Sequence, residues 1–175
     1  DLGGKPLVLH TVQNLKASAI QDIIIVTGNE PEALRRVLHG LGARFVHNDR
    51  FADGLSTSLK CGLGAVASDS AGVLICLGDM PLVDAKTIDR LIAAFSVADH
   101  RTICVPVHAG KRGNPVLWGR QHFVGLEAIV GDQGGRLLMQ SLSDEIVEVE
   151  TKSNAVLLDV DTPIALDGLR SALSP

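Results

Sequence analysis

Two short, unbroken apolar runs constrain the fold most: Ile23-Ile24-Ile25-Val26 and Val73-Leu74-Ile75-Cys76-Leu77. Each is too short for a helix, and the first is wholly β-branched. Such a run, bounded by turn residues, reads as a strand covered on both faces, because a half-solvated strand would alternate apolar and polar residues. Stretches with helical spacing lie between the runs. After Pro6, residues Leu7, Val8, Val12 and Leu15 share one side of a helix reaching about Ser18. Glu30 to Leu41 has an acidic start and a basic middle and stops at Gly42. Ser56 to Ala67 starts with hydroxyls, and Asp84 caps a helix to about Ala98. Further strands are expected at Ala43–His47, Thr102–Val107, Pro115–Trp118, Glu145–Glu150 and Val156–Val160, with a polar turn over His108–Asn114. Further helices are expected at Arg120–Ile129, at Gly134–Leu142 and from Thr162-Pro163 onward. Repeated strand–helix–strand units predict an α/β fold with a mostly parallel sheet covered on both faces. No linker, repeat or low-complexity segment interrupts the pattern, so residues 1–175 read as a single domain.

Composition narrows the function classes. The formal charge is −4 with no basic block, which argues against a nucleic-acid surface, since phosphate backbones need clustered Lys and Arg. A small phosphorylated ligand is still accessible to a metal and a few placed amides. No apolar run approaches the roughly 20 residues of a membrane span, and no basic-then-apolar leader is present. Cys61, Cys76 and Cys104 are scattered without metal-ligand spacing and read as reduced, packed thiols, so a cytoplasmic protein is expected. The chain opens on Asp1-Leu2-Gly3-Gly4-Lys5-Pro6, where an open nucleotide-binding sheet would have a first strand and a glycine-rich turn. Lys5 lacks the spacing of a phosphate-binding loop and reads as a residue leading into the first helix.

Four segments carry residues suited to chemistry. Leu74-Ile75-Cys76-Leu77-Gly78-Asp79-Met80-Pro81 puts a carboxylate directly after a buried strand, where open α/β sheets bind ligands. Gly78 permits the turn, and Pro81 prevents the strand from continuing. Asp79 can hold Mg²⁺, a hard cation that prefers oxygen ligands, or it can cap the next turn. Leu157-Leu158-Asp159-Val160-Asp161-Thr162-Pro163 repeats the pattern, and Asp161 can be a second metal ligand or the N-cap of the last helix. His47-Asn48-Asp49-Arg50-Phe51-Ala52-Asp53-Gly54-Leu55-Ser56-Thr57-Ser58 joins a strand to a helix. There Asn48 can pair with a base or sugar, and the helix N-terminus can receive polar ligand atoms; a plain capped surface loop is the alternative. Lys111-Arg112-Gly113-Asn114-Pro115 puts two cations and an amide at a turn, suited to an anionic second substrate or to a solvated loop.

Taken in order, Gly4-Lys5-Pro6-Leu7, Ile25-Val26-Thr27-Gly28, His47-Asn48 with Gly54 and Thr57-Ser58-Leu59, Gly78-Asp79-Met80-Pro81, Arg112-Gly113-Asn114-Pro115, Gly131-Asp132 with Gly134 and Arg136, and Leu158-Asp159-Val160-Asp161-Thr162-Pro163 resemble the molybdenum cofactor cytidylyltransferase family, within the MobA-like nucleotidyltransferases. The resemblance implies a three-layer Rossmann-like nucleotidyltransferase fold. It implies transfer of CMP from CTP to molybdenum-loaded molybdopterin with Mg²⁺, releasing pyrophosphate, and a molybdenum hydroxylase apoenzyme as recipient of the product. The implied catalytic and metal residues are Asp79 and Asp161. Gly28, Asn48, Gly54, Ser58 and Gly78 fall on the nucleotide side; Arg112, Gly113, Asn114 and Arg136 fall on the pterin phosphate side. The family's opening strand and its Leu-Ala-Ala-Gly-type triphosphate loop have no counterpart here, so the chain alone is expected to be inactive. GTP or another phosphorylated acceptor, or a non-catalytic module that holds and delivers the cofactor, are the alternatives.

Overall fold

The computed structural model describes residues 1–132 and 134–173. In chain order the elements are α1 (Leu7–Lys16), β1 (Ile24–Thr27), α2 (Pro31–Val37), β2 (Arg44–His47), α3 (Leu55–Gly64), β3 (Gly72–Ile75) and α4 (Ala85–Ala94). They continue with β4 (Ile103–His108), β5 (Lys111–Arg112), β6 (Val116–Gly119), α5 (Phe123–Glu127), α6 (Arg136–Gln140), β7 (Ile146–Glu150) and α7 (Pro163–Leu173). Asp84 caps α4 as expected, its Oδ1 accepting the Thr87 N–H at 2.8 Å.

The α/β class is as read from the sequence, but the sheet is mixed rather than mostly parallel. β1 pairs with β2 in parallel, and β7 runs parallel to β4. β6 lies between β3 and β4 and is antiparallel to both, while β5 folds back on β4. The cause is the polar turn between β4 and β6. A parallel return needs a crossover of about a dozen residues or more, and this turn is too short for one, so the chain reverses. A second departure is Val156–Val160. Instead of a strand, Asn154–Leu157 forms a 3-10 turn. The Ser153 hydroxyl accepts the Ala155 N–H at 3.1 Å, and the Leu158 N–H returns to the Ala155 carbonyl. Local bonds of this kind compete with a sheet ladder.

The core centres on β4. Ile103 and Val105 are fully buried and pack with Leu63, Trp118 and Leu126, under α3 and α5. Cys104 points the other way and packs with Leu91, Leu117 and Val149, under α4. The alternation of side chains along one strand thus feeds two helical layers. The thiols behave as packed apolar groups: burial pushes Cys76 up to about 12 and Cys104 up to about 11.

β1 and β3 were expected to be covered on both faces, yet most of their residues are only half-buried. The reason is a cleft of about 1530 Å³ between the two sheets, walled by Ile24, Ile25 and Val26 on one side and Val73, Leu74 and Ile75 on the other. Replacing Leu91, fully buried in the β4 core, with Ala is expected to cost about 2–5 kcal/mol in urea unfolding. Val124→Ala, at a position 79% exposed, should stay within about 0.5 kcal/mol.

Candidate functional site

The Gly78–Pro81 loop after β3 is held from α1. The Thr11 hydroxyl donates to the Gly78 carbonyl at 3.3 Å, and the Asn14 amide donates to the Pro81 carbonyl at 3.1 Å. Met80 and Val83 anchor the far side of the loop in the core with Leu15 and Ile88. The Val160 N–H then donates to the Asp79 carbonyl at 3.1 Å, which draws the Asp159–Asp161 segment against the end of β3. Two carboxylate segments distant in sequence therefore meet at one place.

Neither aspartate serves as a helix cap. Asp79 Oδ1 is buried and has no hydrogen-bond partner among the described residues. The last helix is capped by its neighbour: the Thr162 hydroxyl accepts the Ala165 N–H at 3.2 Å, leaving Asp161 free of that duty. Contact with the Asp79 carboxyl, and then the charge of Asp159, holds the Asp161 carboxyl above the usual carboxylate range. An orphaned buried carboxylate oxygen beside a second carboxylate fits a hard divalent cation. Among the described residues no three His, Cys, Asp or Glu side chains converge on one point. A cation held by Asp79 and Asp161 would take its remaining oxygens from water and substrate phosphate, as Mg²⁺ commonly does.

The cleft between the sheets has a polar rim. Ser58, Gly78, Arg112, Gly113, Asn114 and Arg136 all line it. Gly28, Asn48 and Gly54 do not; each does structural work nearby. A Cβ on Gly28 would stand 2.6 Å from Cβ of Phe51, and one on Gly54 would stand 2.9 Å from Oδ1 of Asp132. Asn48 is buried, and its whole amide is engaged. Its Nδ2 donates to the hydroxyls of Thr57 at 2.8 Å and Ser58 at 3.0 Å, and its Oδ1 accepts the Arg50 N–H at 3.0 Å. In this structure Asn48 braces the loop and orients Ser58, with both amide hydrogens used within the protein. The start of α3, expected to be open to ligand atoms, is likewise occupied: the Leu55 N–H donates to Asp132 and the Ser56 N–H to the Gly131 carbonyl.

Gly113 also has a structural reason to be glycine. An added Cβ would fall 2.1 Å from the Val156 carbonyl oxygen, which accepts the Asn114 N–H at 2.9 Å. This contact seats the Arg112–Asn114 turn on the segment that leads to Asp159 and Asp161. Arg112 itself pairs with Glu148 of β7, Nε to Oε1 at 2.7 Å. Glu148 also lines the cleft and was missed in the sequence. Only the parallel register of β4 and β7, which sets Val105 opposite Glu148, brings it there. Lys5 is exposed and closes a tight turn with Leu2, in keeping with a residue that leads into α1.

Comparison with known proteins matches residues 1–147 to the MobA-like NTP transferase domain. The chain belongs to that family. It is 30% identical over 142 residues to the molybdenum cofactor cytidylyltransferase of Escherichia coli, covering 81% of this chain and 70% of that protein. It is 33% identical over 106 residues to a probable molybdenum cofactor guanylyltransferase of Thermococcus sibiricus, covering 60% and 50%. It is 31% identical over 137 residues to the bifunctional protein GlmU of Syntrophomonas wolfei, covering 78% of this chain but only 28% of that protein. This MobA-like chain thus spans a little over a quarter of that relative's length. In fold it matches Rv0371c of Mycobacterium tuberculosis, crystallised in complex with manganese, with a TM-score of 0.82 at 25% identity, covering 95% of this chain and 86% of that one. Among the described residues no helix is long and apolar enough to cross a membrane.

The raised Asp161 carboxyl of this MobA-like domain sets a direction for stability against pH. The folded state holds that proton more tightly than the unfolded state, so the group disfavours folding above its raised value and ceases to do so as pH falls through the window toward 3.8. Asp161→Asn is therefore expected to raise the melting temperature at pH 7 without metal. Millimolar Mg²⁺ or Mn²⁺ should raise the melting temperature of the unmutated protein and leave that of Asp79→Asn unchanged. Equal shifts in both would rule out Asp79 as a ligand.

Proposed function

We propose that this chain, acting as a single domain over residues 1–175, is the core of a nucleotidyltransferase that moves CMP from CTP onto the terminal phosphate of molybdenum-loaded molybdopterin. The observation that carries this reading is the pairing of Asp79, after the end of β3, with Asp161, ahead of α7, beside a cleft rimmed by Lys111, Arg112 and Arg136; among the described residues one Asp79 oxygen is buried and unpartnered. Asp79 and Asp161 hold Mg²⁺ in this scheme. When bound, Mg²⁺ supplies charge neutralisation at the triphosphate and at the leaving pyrophosphate. The likeness to a protein crystallised with manganese supports a divalent cation here.

The remaining work is positioning. A terminal phosphate oxygen of the pterin attacks the α-phosphorus of the nucleotide in line; the new P–O bond forms as the bond to the β-phosphate oxygen breaks, and pyrophosphate leaves. The attacking phosphate is already ionised, so no protein base has to remove a proton. Arg112, Asn114 and Arg136, with the Gly113 turn, receive the acceptor phosphate. Ser58 and the Gly78 backbone face the nucleotide, while Gly28, Asn48 and Gly54 shape the loops behind them. On this reading the family's opening strand runs through the apolar cleft between β1 and β3. Both flanking strands offer apolar walls, and backbone groups at an apolar strand edge need partners. The triphosphate loop then follows at the carboxyl end of the sheet. The product would pass to a molybdenum hydroxylase apoenzyme in the cytoplasm.

GTP is the second reading, favoured by the 33% identity to a probable guanylyltransferase. The deciding assay follows pyrophosphate release with CTP or GTP, Mg²⁺ and molybdenum-loaded molybdopterin. It compares this chain with a form that also carries the family's strand and loop. CTP-dependent release from the longer form, lowered roughly 100-fold by Asp79→Asn with the fold intact, is the expected result. Release with GTP alone would reassign the nucleotide. Cofactor binding without release from either form would make the protein a holding and delivery module.

A further inference from the structure

We infer that Asp132 is a positioning residue that ties the acceptor side of the cleft to helix α3; its role in catalysis rests on the transferase reading above. Helix α3 starts without a cap of its own. Its N-cap is Gly54, at φ +106°, which has no side chain to offer. The first amides are instead served from far along the chain. The Leu55 N–H donates to Asp132 Oδ1 at 3.0 Å across 77 residues, and the Ser56 N–H donates to the Gly131 carbonyl at 3.0 Å. A carboxylate at a helix N-terminus is favoured by the local dipole as well as by the hydrogen bond. The approach is close enough to dictate the residue opposite: a Cβ on Gly54 would lie 2.9 Å from Asp132 Oδ1 and 3.0 Å from the Gly131 carbonyl carbon.

The turn that makes this bond lies just ahead of Arg136, which opens α6 and lines the cleft with Ser56 and Ser58. Two residues shortly before Arg136 are anchored. One is Gly135, whose added Cβ would stand 2.5 Å from Cζ2 of Trp118 in the core. The other is Asp132, through its bond to α3. The two sides of this tie do not depend on it equally. α3 is also held by Asn48 on Thr57 and Ser58, and by the Thr57 hydroxyl, whose single proton is shared between the Gly54 and Arg50 carbonyls. Loss of Asp132 should therefore leave the nucleotide side in place and loosen Arg136.

The test uses Asp132→Ala, Asp132→Asn and Gly54→Ala. Hydrogen exchange on this chain should speed up at the Leu55 and Ser56 amides in Asp132→Ala and in Gly54→Ala, whose added methyl pushes the turn away. Asp132→Asn keeps an acceptor oxygen and should remain close to the unmutated protein. In the longer, active form, Asp132→Ala should raise KM for the acceptor about tenfold, the loss of one charge-assisted hydrogen bond. KM for the nucleotide and kcat should stay within about twofold, and Asn should restore the acceptor KM. Unchanged exchange in Asp132→Ala, an equal rise in both KM values, or Asn no better than Ala would overturn the inference. If the longer form carries out no transfer, the proposed reaction fails, and the exchange result alone decides whether Asp132 makes the tie.

Discussion

The candidate site depends on the hydrogen bond from the Val160 N–H to the Asp79 carbonyl. Asp79 comes from the end of a strand in the middle of the chain, and Asp161 comes just ahead of the final helix. Nothing local would bring them together. Once that bond closes, the two carboxyls sense one another and Asp161 is pushed toward its protonated form. A fold that only sought stability would not gather acids in this way, because like charges at short range destabilise it. The arrangement makes physical sense when a cation is the third party.

The second constraint is the antiparallel β6. The turn after β4 is too short for a crossover, so β6 returns between β3 and β4 and brings the Lys111–Asn114 turn to the rim of the cleft. The Val156 carbonyl then seats that turn from below and leaves no room for a side chain on Gly113. The cationic rim and the acidic pair are thereby coupled through one short segment, residues 156–161. Arg112 is further oriented by Glu148, whose partial exposure keeps the pair modest in energy and adjustable.

Several residues that look like ligand contacts in the sequence also support the loops around them. Asn48 spends its amide on the Thr57 and Ser58 hydroxyls and the Arg50 N–H. Gly28 makes room for Phe51, and Gly54 makes room for Asp132. Steric exclusion by a neighbouring loop restricts residue choice as tightly as contact with a substrate does.

Sequence alone determined the α/β class, the place of nearly every helix and strand, and the two carboxylate segments from which the candidate site is built. Those features are written in local patterns: unbroken apolar runs, helical spacing, and acids placed beside turn residues after apolar stretches. It misjudged the strand at Val156–Val160, because the competing bonds of Ser153 and Ala155 are local but weak in composition. It also misjudged the direction of the sheet, because pairing partners are chosen by loop length and by which edge is free. Only the tertiary structure decided that Thr162 and not Asp161 caps the last helix, that Glu148 faces Arg112, and that Asp132 serves the start of α3. Each of these joins residues distant in the chain or distinguishes neighbours by orientation, and a linear pattern carries no record of either.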